Sequence, residues 1–148
     1  LGSAEDHTER MTKMQNKMLY LLSFFSDTEE DFDGFDIGLF SSREEAEEVA
    51  SRYRKEVPGF KNYDCVPSIM GIPVWNDDEV TGKVYIYQGW NWDEHGDEID
   101  CVISSCFVSQ TEAEHFFEEA QRQIPRQEWV LNCHIIGQCD WQEGFVRE

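Results

Sequence analysis

Two stretches of similar sequence decide the fold, residues 40–47 (FSSREEAE) and residues 107–114 (FVSQTEAE). In each stretch a serine, Ser42 or Ser109, stands three residues before a glutamate. This spacing is typical of a capping box, in which the serine hydroxyl accepts a hydrogen bond from the glutamate amide and the glutamate carboxylate reaches back to the serine amide. A helix is therefore predicted to begin after each serine.

Small and apolar residues follow each serine at intervals of three and four, which predicts one buried stripe at the 3.6-residue helical period. The two stripes comprise Ala46, Val49, Ala50, Tyr53 and Val57, and Ala113, Phe116, Phe117, Ala120 and Ile124. Pro58 with Gly59 ends the first helix and Pro125 the second, because proline disfavours helical geometry in the residue before it. The capping serine, the buried stripe and the proline that ends the helix occur in the same order in both stretches. This agreement indicates an internal duplication.

Strands are predicted on both sides of each helix. They cover residues 18–25, 35–40, 61–70, 84–90, 99–108 and 129–136. Each half is thus a β-β-α-β unit of an α+β fold, with a hairpin followed by a crossover helix. A right-handed crossover places the first strand of each half in the middle of its sheet.

The predicted organisation has four segments. Residues 1–16 are a disordered tail with a tag remnant, residues 17–75 the first repeat, residues 76–82 an acidic linker and residues 83–148 the second repeat. A three-stranded sheet with one helix is marginal alone, so the halves are expected to pack about a pseudo-two-fold axis. The sequence is compatible with both edge pairing and face-to-face contact.

The composition limits the class of protein. The chain has 148 residues, and its hydrophobic fraction of 40% is typical of a globular domain. Its net charge of -19 disfavours binding to nucleic acid or an anionic membrane and favours a basic protein partner. No apolar run is long enough to span a bilayer. The five cysteines include no CxxC pair, which predicts reduced, mostly buried thiols in a cytoplasmic protein.

Several motifs resemble those of a small bacterial domain family of unknown function. Residues 41–46 (SSREEA) and 58–63 (PGFKNY) match its helix start and helix exit in the first half. Residues 84–85 (VY) and 141–145 (WQEGF) match its opening strand and its closing motif in the second half. Trp75 stands where the first half would close, but no Gly-Phe follows it, and the second helix exit lacks Gly-Phe-x-x-Tyr. The resemblance implies a tandem β-β-α-β fold. More loosely, the chain is similar to the acidic immunity proteins of bacterial toxin systems, which implies no catalytic residues.

Possible ligands and nucleophiles lack the spacing that their chemistry needs. Tetrahedral zinc needs four converging ligands, usually in close pairs. The candidates are Cys101, Cys106, Cys133, His134 and Cys139. Glu29, Asp31 and Asp33 resemble the start of a calcium loop, but its twelfth position is Phe40 instead of glutamate. We therefore predict no metal and no cofactor.

Catalysis would require one of three cysteines to meet a histidine. These are Cys106, Cys133 and Cys139, with His115 and His134. No nucleophile motif or phosphate-binding glycine loop accompanies them. We therefore predict a protein that is not an enzyme.

The predicted partner-binding residues are acidic loops and two tryptophans. They are Asp27, Glu29, Glu30, Asp31, Asp33, Asp77, Asp78, Glu79, Trp90, Trp92, Asp93, Glu94, Asp97 and Glu98. Carboxylates spread over a surface complement a cationic cleft and raise the rate of association. Trp90 is expected to pack in the core, although both tryptophans share a face in a regular strand.

The predicted function is a non-catalytic, immunity-type inhibitor that occupies the cationic site of a basic toxin such as a nuclease. A second hypothesis is a DNA mimic that acts against a host defence or regulatory protein. A third hypothesis is a small ligand-binding or enzymatic domain with a pocket between the repeats. The DNA mimic predicts competition with duplex DNA, and the third hypothesis predicts a deep, apolar pocket.

Overall fold

The structure is a computed structural model that describes residues 17–26, 34–96 and 98–145. Within these residues the strands are β1 (Met18–Ser26), β2 (Gly34–Phe40), β3 (Cys65–Pro73), β4 (Lys83–Trp92), β5 (Glu98–Ile103) and β6 (Glu128–Ile135). The helices are α1 (Arg43–Glu56) and α2 (Gln110–Gln123), and a 3-10 turn covers Trp75–Asp77. The predicted α+β class is confirmed.

The strand order is the same in both halves. Two three-stranded antiparallel sheets have the orders β2-β1-β3 and β5-β4-β6. The first strand of each half therefore lies in the middle of its sheet, as a hairpin followed by a crossover helix requires. The pseudo-two-fold relation between the halves stays a prediction.

Both helices begin at the predicted serines. Ser42 and Ser109 have extended backbone geometry, and each hydroxyl accepts a hydrogen bond from the glutamate amide three residues on, at 3.1 and 3.3 Å. The carboxylate of Glu45 accepts a bond from the hydroxyl of Ser41 (3.2 Å). Each cap thus satisfies an amide of the first turn, which has no partner within the helix.

Most predicted strand boundaries lie within one or two residues of those observed, but three are wrong by more. The third strand begins at Cys65, not at residue 61, because residues 58–63 form turns in which Gly59 has φ +91°. This strand continues to Pro73, beyond its predicted end at residue 70. β5 ends at Ile103 instead of residue 108, and only isolated bridges follow it, through Cys106 and Phe107.

The described chain divides into two compact units that differ from the two halves of the sequence. The first unit contains residues 18–72 and 136–145, and the second unit contains residue 17 and residues 73–135. Each unit therefore holds one sheet, one helix and the segment that follows the last strand of the other half. Repeats and compact units are different divisions of a chain, so the predicted repeat boundaries stay predictions.

The core of the first unit is closed by the segment after β6. Tyr53 of α1 is buried in one cluster with Phe24, Ile37 and Phe60. Phe145 stacks on Phe35 with 4.6 Å between ring centroids. The carboxyl-terminal segment thus supplies aromatic surface that the first half of the sequence lacks.

A hydrophobic cluster in the second unit is also aromatic. Tyr85, Phe107 and Ala113 are its buried members. Trp75, which follows β3 in the sequence, packs on Phe116 of α2 with 4.9 Å between ring centroids. Its amide donates to the carbonyl of Cys106 (2.9 Å). No described helix has the length and apolar character needed to cross a membrane.

Candidate partner-binding site

A stacked pair of tryptophans lies at the end of β4. The rings of Trp90 and Trp92 stand 6.4 Å apart, and their planes differ by 18°. Tyr87 packs on Phe117 of α2, so alternation along the strand places the two tryptophans on the face away from α2. Both side chains are half-buried. The expectation that Trp90 packs in the core is met only in part, because the residue is half-buried.

A carboxylate completes this tryptophan pair. Glu128 lies opposite Trp90 in the β4–β6 register. Its Oε2 accepts a hydrogen bond from the indole Nε1 of Trp92 (3.3 Å). Glu128 is exposed, so a negative charge lies at the rim of two aromatic rings. We call Trp90, Trp92 and Glu128 the tryptophan site.

The loop before β6 holds the tryptophan site in place. The amide of Gln127 donates to the carbonyl of Trp90 (3.0 Å) and to Oδ1 of Asn91 (3.1 Å). The side-chain carbonyl of Gln127 accepts a bond from the amide of Trp92. These bonds fix β4, which carries both rings, to the residue that immediately precedes Glu128 at the start of β6.

The cation next to this loop is already paired. Arg126 Nε lies 3.1 Å from Asp100 Oδ1, and 17% of the Arg126 side chain is exposed. The contact has ion-pair distance, but it lacks the geometry of a hydrogen bond. Among the described residues, Glu128 and Glu94 form no ion pair. Within the part of the chain that the structure describes, the carboxylate of the tryptophan site therefore has no ion-pair partner.

The acidic hairpin beyond β4 continues this surface. Asp93 Oδ1 accepts a hydrogen bond from the amide of His95 (2.8 Å), and its carbonyl accepts one from the amide of Gly96 (3.1 Å). The side chains of Asp93 and Glu94 are exposed. Asp97 and the side chain of Glu98 lie outside the described residues.

The acidic segment after β3 lies at the other end of β4. Lys17 donates from its amide to Asp77 Oδ1 (3.0 Å) and from Nζ to the Asp77 carbonyl (2.8 Å). Asp78 Oδ1 accepts a bond from Asn76 (3.2 Å), and Glu79 is exposed. The ten residues of β4 separate this segment from the acidic hairpin. The two predicted clusters therefore lie at opposite ends of β4.

The remaining predicted site residues belong to the first acidic loop. They are Asp27, Glu29, Glu30, Asp31 and Asp33, and all lie outside the described residues. The sequence did not point to Glu128 or Gln127. Their role depends on the register between β4 and β6, which the sequence pattern does not specify.

The cysteines divide into buried and accessible groups. Cys65 and Cys106 are buried, whereas Cys101 and Cys133 are exposed and Cys139 is intermediate. The expectation of mostly buried thiols is therefore wrong for Cys101 on β5 and Cys133 on β6, which are exposed although both lie in apolar runs of a strand. Burial raises the pKa of Cys106 to about 12. Among the described residues, no three Cys, His, Asp or Glu side chains form a metal-binding group.

In comparisons with protein-family models, curated proteins and solved structures, nothing matches this chain. The resemblance based on sequence motifs therefore stays a prediction. The function proposed below is therefore inferred from the geometry of the site.

Proposed function

We propose that this chain is a non-catalytic acidic binding protein that holds a cationic side chain of a basic protein partner at the tryptophan site. The observation that carries the proposal is the stacked pair of Trp90 and Trp92 with Glu128 hydrogen-bonded at its rim. The specific form that we propose is an immunity-type inhibitor of a basic toxin in the cytoplasm. In that form, the tryptophan site would contact the cationic active site of the toxin.

The chemistry of the tryptophan site suits an arginine or a lysine. An aromatic face attracts a cation through the ring quadrupole, with about 0.5–2 kcal/mol per contact. Glu128 adds a charge-assisted hydrogen bond, and a planar guanidinium can contact the rings and the carboxylate together. Tryptophan and arginine are also enriched among the residues that contribute most to binding energy.

The charge of the whole chain supports the same class of partner. The net charge is -19, and Asp93 and Glu94 extend the acidic surface beside the tryptophan site. Such a field speeds the approach of a basic protein and weakens as salt increases. Non-catalytic action is part of this proposal, because binding and steering need no reacting group.

The proposal is tested by capture from the lysate of the source organism, with the product of the neighbouring gene as a direct candidate. Immobilised wild-type protein is compared with the Trp90→Ala/Trp92→Ala variant and with Glu128→Gln. Glu114→Gln on α2 is the matched control, because it removes one exposed carboxylate elsewhere in the second unit. Bound proteins are quantified by mass spectrometry at low and high salt.

We expect a basic partner whose capture falls about tenfold or more in the double variant, which corresponds to the loss of two anchoring side chains. Glu128→Gln should weaken capture, Glu114→Gln should not, and high salt should reduce capture of the partner. Equal capture by all variants would contradict the proposal. A captured DNA-binding protein that duplex DNA displaces would instead support the DNA-mimic hypothesis.

A further inference from the structure

A groove in the first unit carries charge of the opposite sign to the rest of the chain. α1 packs mainly over β1 and β2, and this leaves the helix-facing side of β3 partly open at Pro67 and Ile69, which are half-buried. The resulting cavity has a volume of about 620 Å³. Its lining consists of Arg43, Glu47, Ala50, Ser51, Arg54, Lys55, Pro67 and Ile69. We call it the α1–β3 groove.

Three cationic side chains line the groove, and one carboxylate accompanies them. The whole chain has 31 acidic and 12 basic residues, so this local balance is the reverse of the overall one. Among the described residues, Arg43, Arg54 and Lys55 form no ion pair. An anion entering the groove would therefore meet cations that form no ion pair with any described carboxylate.

The positions of the cations on α1 are not all explained by helix stability. Arg54 and Lys55 lie in the last turn, where positive charge is favourable to the helix dipole. Arg43 lies in the first turn, where the dipole disfavours it. Its guanidinium is held 5.3 Å from the centre of the Tyr20 ring. This cation, which lines the groove, is thus held by a specific contact and against the helix dipole.

The floor of the groove is apolar. Ala50, Pro67 and Ile69 line it between the cations at either end. Small-molecule sites in proteins commonly have volumes of about 300–1,000 Å³ and combine apolar walls with a few polar groups. The groove therefore fits a ligand that has an apolar body and an anionic group.

We propose that the α1–β3 groove is a binding site for a small organic anion with an apolar or aromatic body. The anionic group, a phosphate, sulfonate or carboxylate, is bound at one end of the groove through charge-assisted hydrogen bonds, either by Arg43 or by Arg54 with Lys55. The apolar floor takes the body of the ligand. The site belongs to the first unit and does not depend on the function proposed for the tryptophan site.

The test uses the full chain and 8-anilinonaphthalene-1-sulfonate, an aromatic anion whose fluorescence rises when it binds an apolar surface. Its titration is compared with that of N-phenyl-1-naphthylamine, a neutral compound with similar rings. Arg43→Gln/Arg54→Gln removes two cations from the groove. Lys83→Gln/Arg122→Gln is the charge-matched control, since both residues are exposed and belong to the second unit.

A further variant, Ser51→Phe, fills the groove without changing its charge. Circular dichroism confirms that each variant is folded. We expect saturable binding of the sulfonate that weakens about tenfold or more in Arg43→Gln/Arg54→Gln, as the loss of charged hydrogen bonds requires. Ser51→Phe should also weaken binding, and the control should not.

Three results would overturn the proposal: no binding of the sulfonate, equal affinity for the charged and neutral probes, or unchanged affinity in Arg43→Gln/Arg54→Gln. Weakening by Ser51→Phe alone would also count against it, because the cations would then have no part in recognition.

Discussion

At the scale of single residues, Tyr53 joins α1 to the carboxyl-terminal segment. Its side chain is 1% exposed, and its hydroxyl donates to the carbonyl of Asp140 (2.7 Å). Burial, with a smaller contribution from Cys139, raises the pKa of Tyr53 to about 12. The phenol therefore stays protonated in the folded chain at pH values where the unfolded chain ionises.

Tyr53→Phe should lower the free energy of unfolding by about 1 kcal/mol at neutral pH, because the Asp140 carbonyl loses its donor. The wild-type contribution is complete below pH 10 and is lost as the pH rises through about 12, since the folded pKa lies above the ordinary value of 10.0. Urea unfolding from pH 7 to pH 11 measures both effects, and the variant should lose less stability above pH 10. Tyr87→Phe is the control at neutral pH; equal destabilisation by both changes would contradict the assignment.

The thiols offer a second prediction at this scale. Iodoacetamide should modify the exposed Cys101 and Cys133 in the native protein and should spare Cys65 and Cys106 until the chain unfolds. Burial and a pKa of about 12 keep Cys106 from forming the reactive thiolate. Peptide mass spectrometry of the native and unfolded chain gives the order of modification. Early modification of Cys106 would show that the reagent reaches this thiol in the native protein, and would contradict its burial.

At the scale of elements, the closing motif of the second half meets the helix exit of the first half. The amide of Phe145 donates to the carbonyl of Pro58 (3.0 Å), and its ring lies 5.0 Å from Phe60 and 5.8 Å from Tyr63. Trp75 has no Gly-Phe after it, and it packs in the second unit, whose helix exit lacks Gly-Phe-x-x-Tyr. The missing Gly-Phe after Trp75 and the missing Gly-Phe-x-x-Tyr after α2 thus both fall in the second unit.

Gly144 is required for this docking. It has φ +82°, and a Cβ there would lie 2.1 Å from the Pro58 carbonyl oxygen. Gly144→Ala should therefore destabilise the chain by about 2 kcal/mol or more, from backbone strain and the clash together. Gly96→Ala is the matched control, because Gly96 has φ +85° but open space around its Cβ position. Urea unfolding measures both; equal losses would mean that the clash has no effect.

The features of helices and strands that the sequence predicted depend on residues that lie close together in the chain. The capping serines, the buried stripe of α1 and the middle position of each first strand follow from spacing within a few residues. The start of β3 was missed because the turns of residues 58–63 follow the helix directly and resemble the beginning of a strand. The end of β5 depends on bridges to Val74 and Tyr85, which are distant in sequence.

At the scale of the whole molecule, each unit needs a segment from the other half of the sequence. Ending the chain after Ile135 would remove Trp141 and Phe145, which contact Phe35 of the first unit at 4.8 and 4.6 Å. We expect the amides of α1 and β2 to lose hydrogen-exchange protection, because the first unit loses its aromatic cover. The amides of β4 and β6 should keep more of theirs. An even loss across both sheets would contradict this division of the chain.

The tryptophan site was also predicted only in part, because one of its residues comes from a distant part of the sequence. The charge and the tryptophans of residues 90–98 are visible in the sequence, and they led to Trp90, Trp92, Asp93 and Glu94. Glu128 joins them through strand pairing across the sheet. The sequence pattern does not reveal the cations of the α1–β3 groove, because they are scattered among the glutamates of α1. Only the folded helix, packed beside β3, places them along one groove.

The most direct test of the central claim is an NMR titration of the full chain with a hexa-arginine peptide. The chain has five tryptophans, so five indole N–H signals report on separate places. We predict that the signals of Trp90 and Trp92 shift most, and that Trp90→Ala/Trp92→Ala weakens binding about tenfold at physiological salt. Equal shifts at all five indoles, or an unchanged affinity in the variant, would mean that the peptide is held by diffuse charge and would contradict the proposed site.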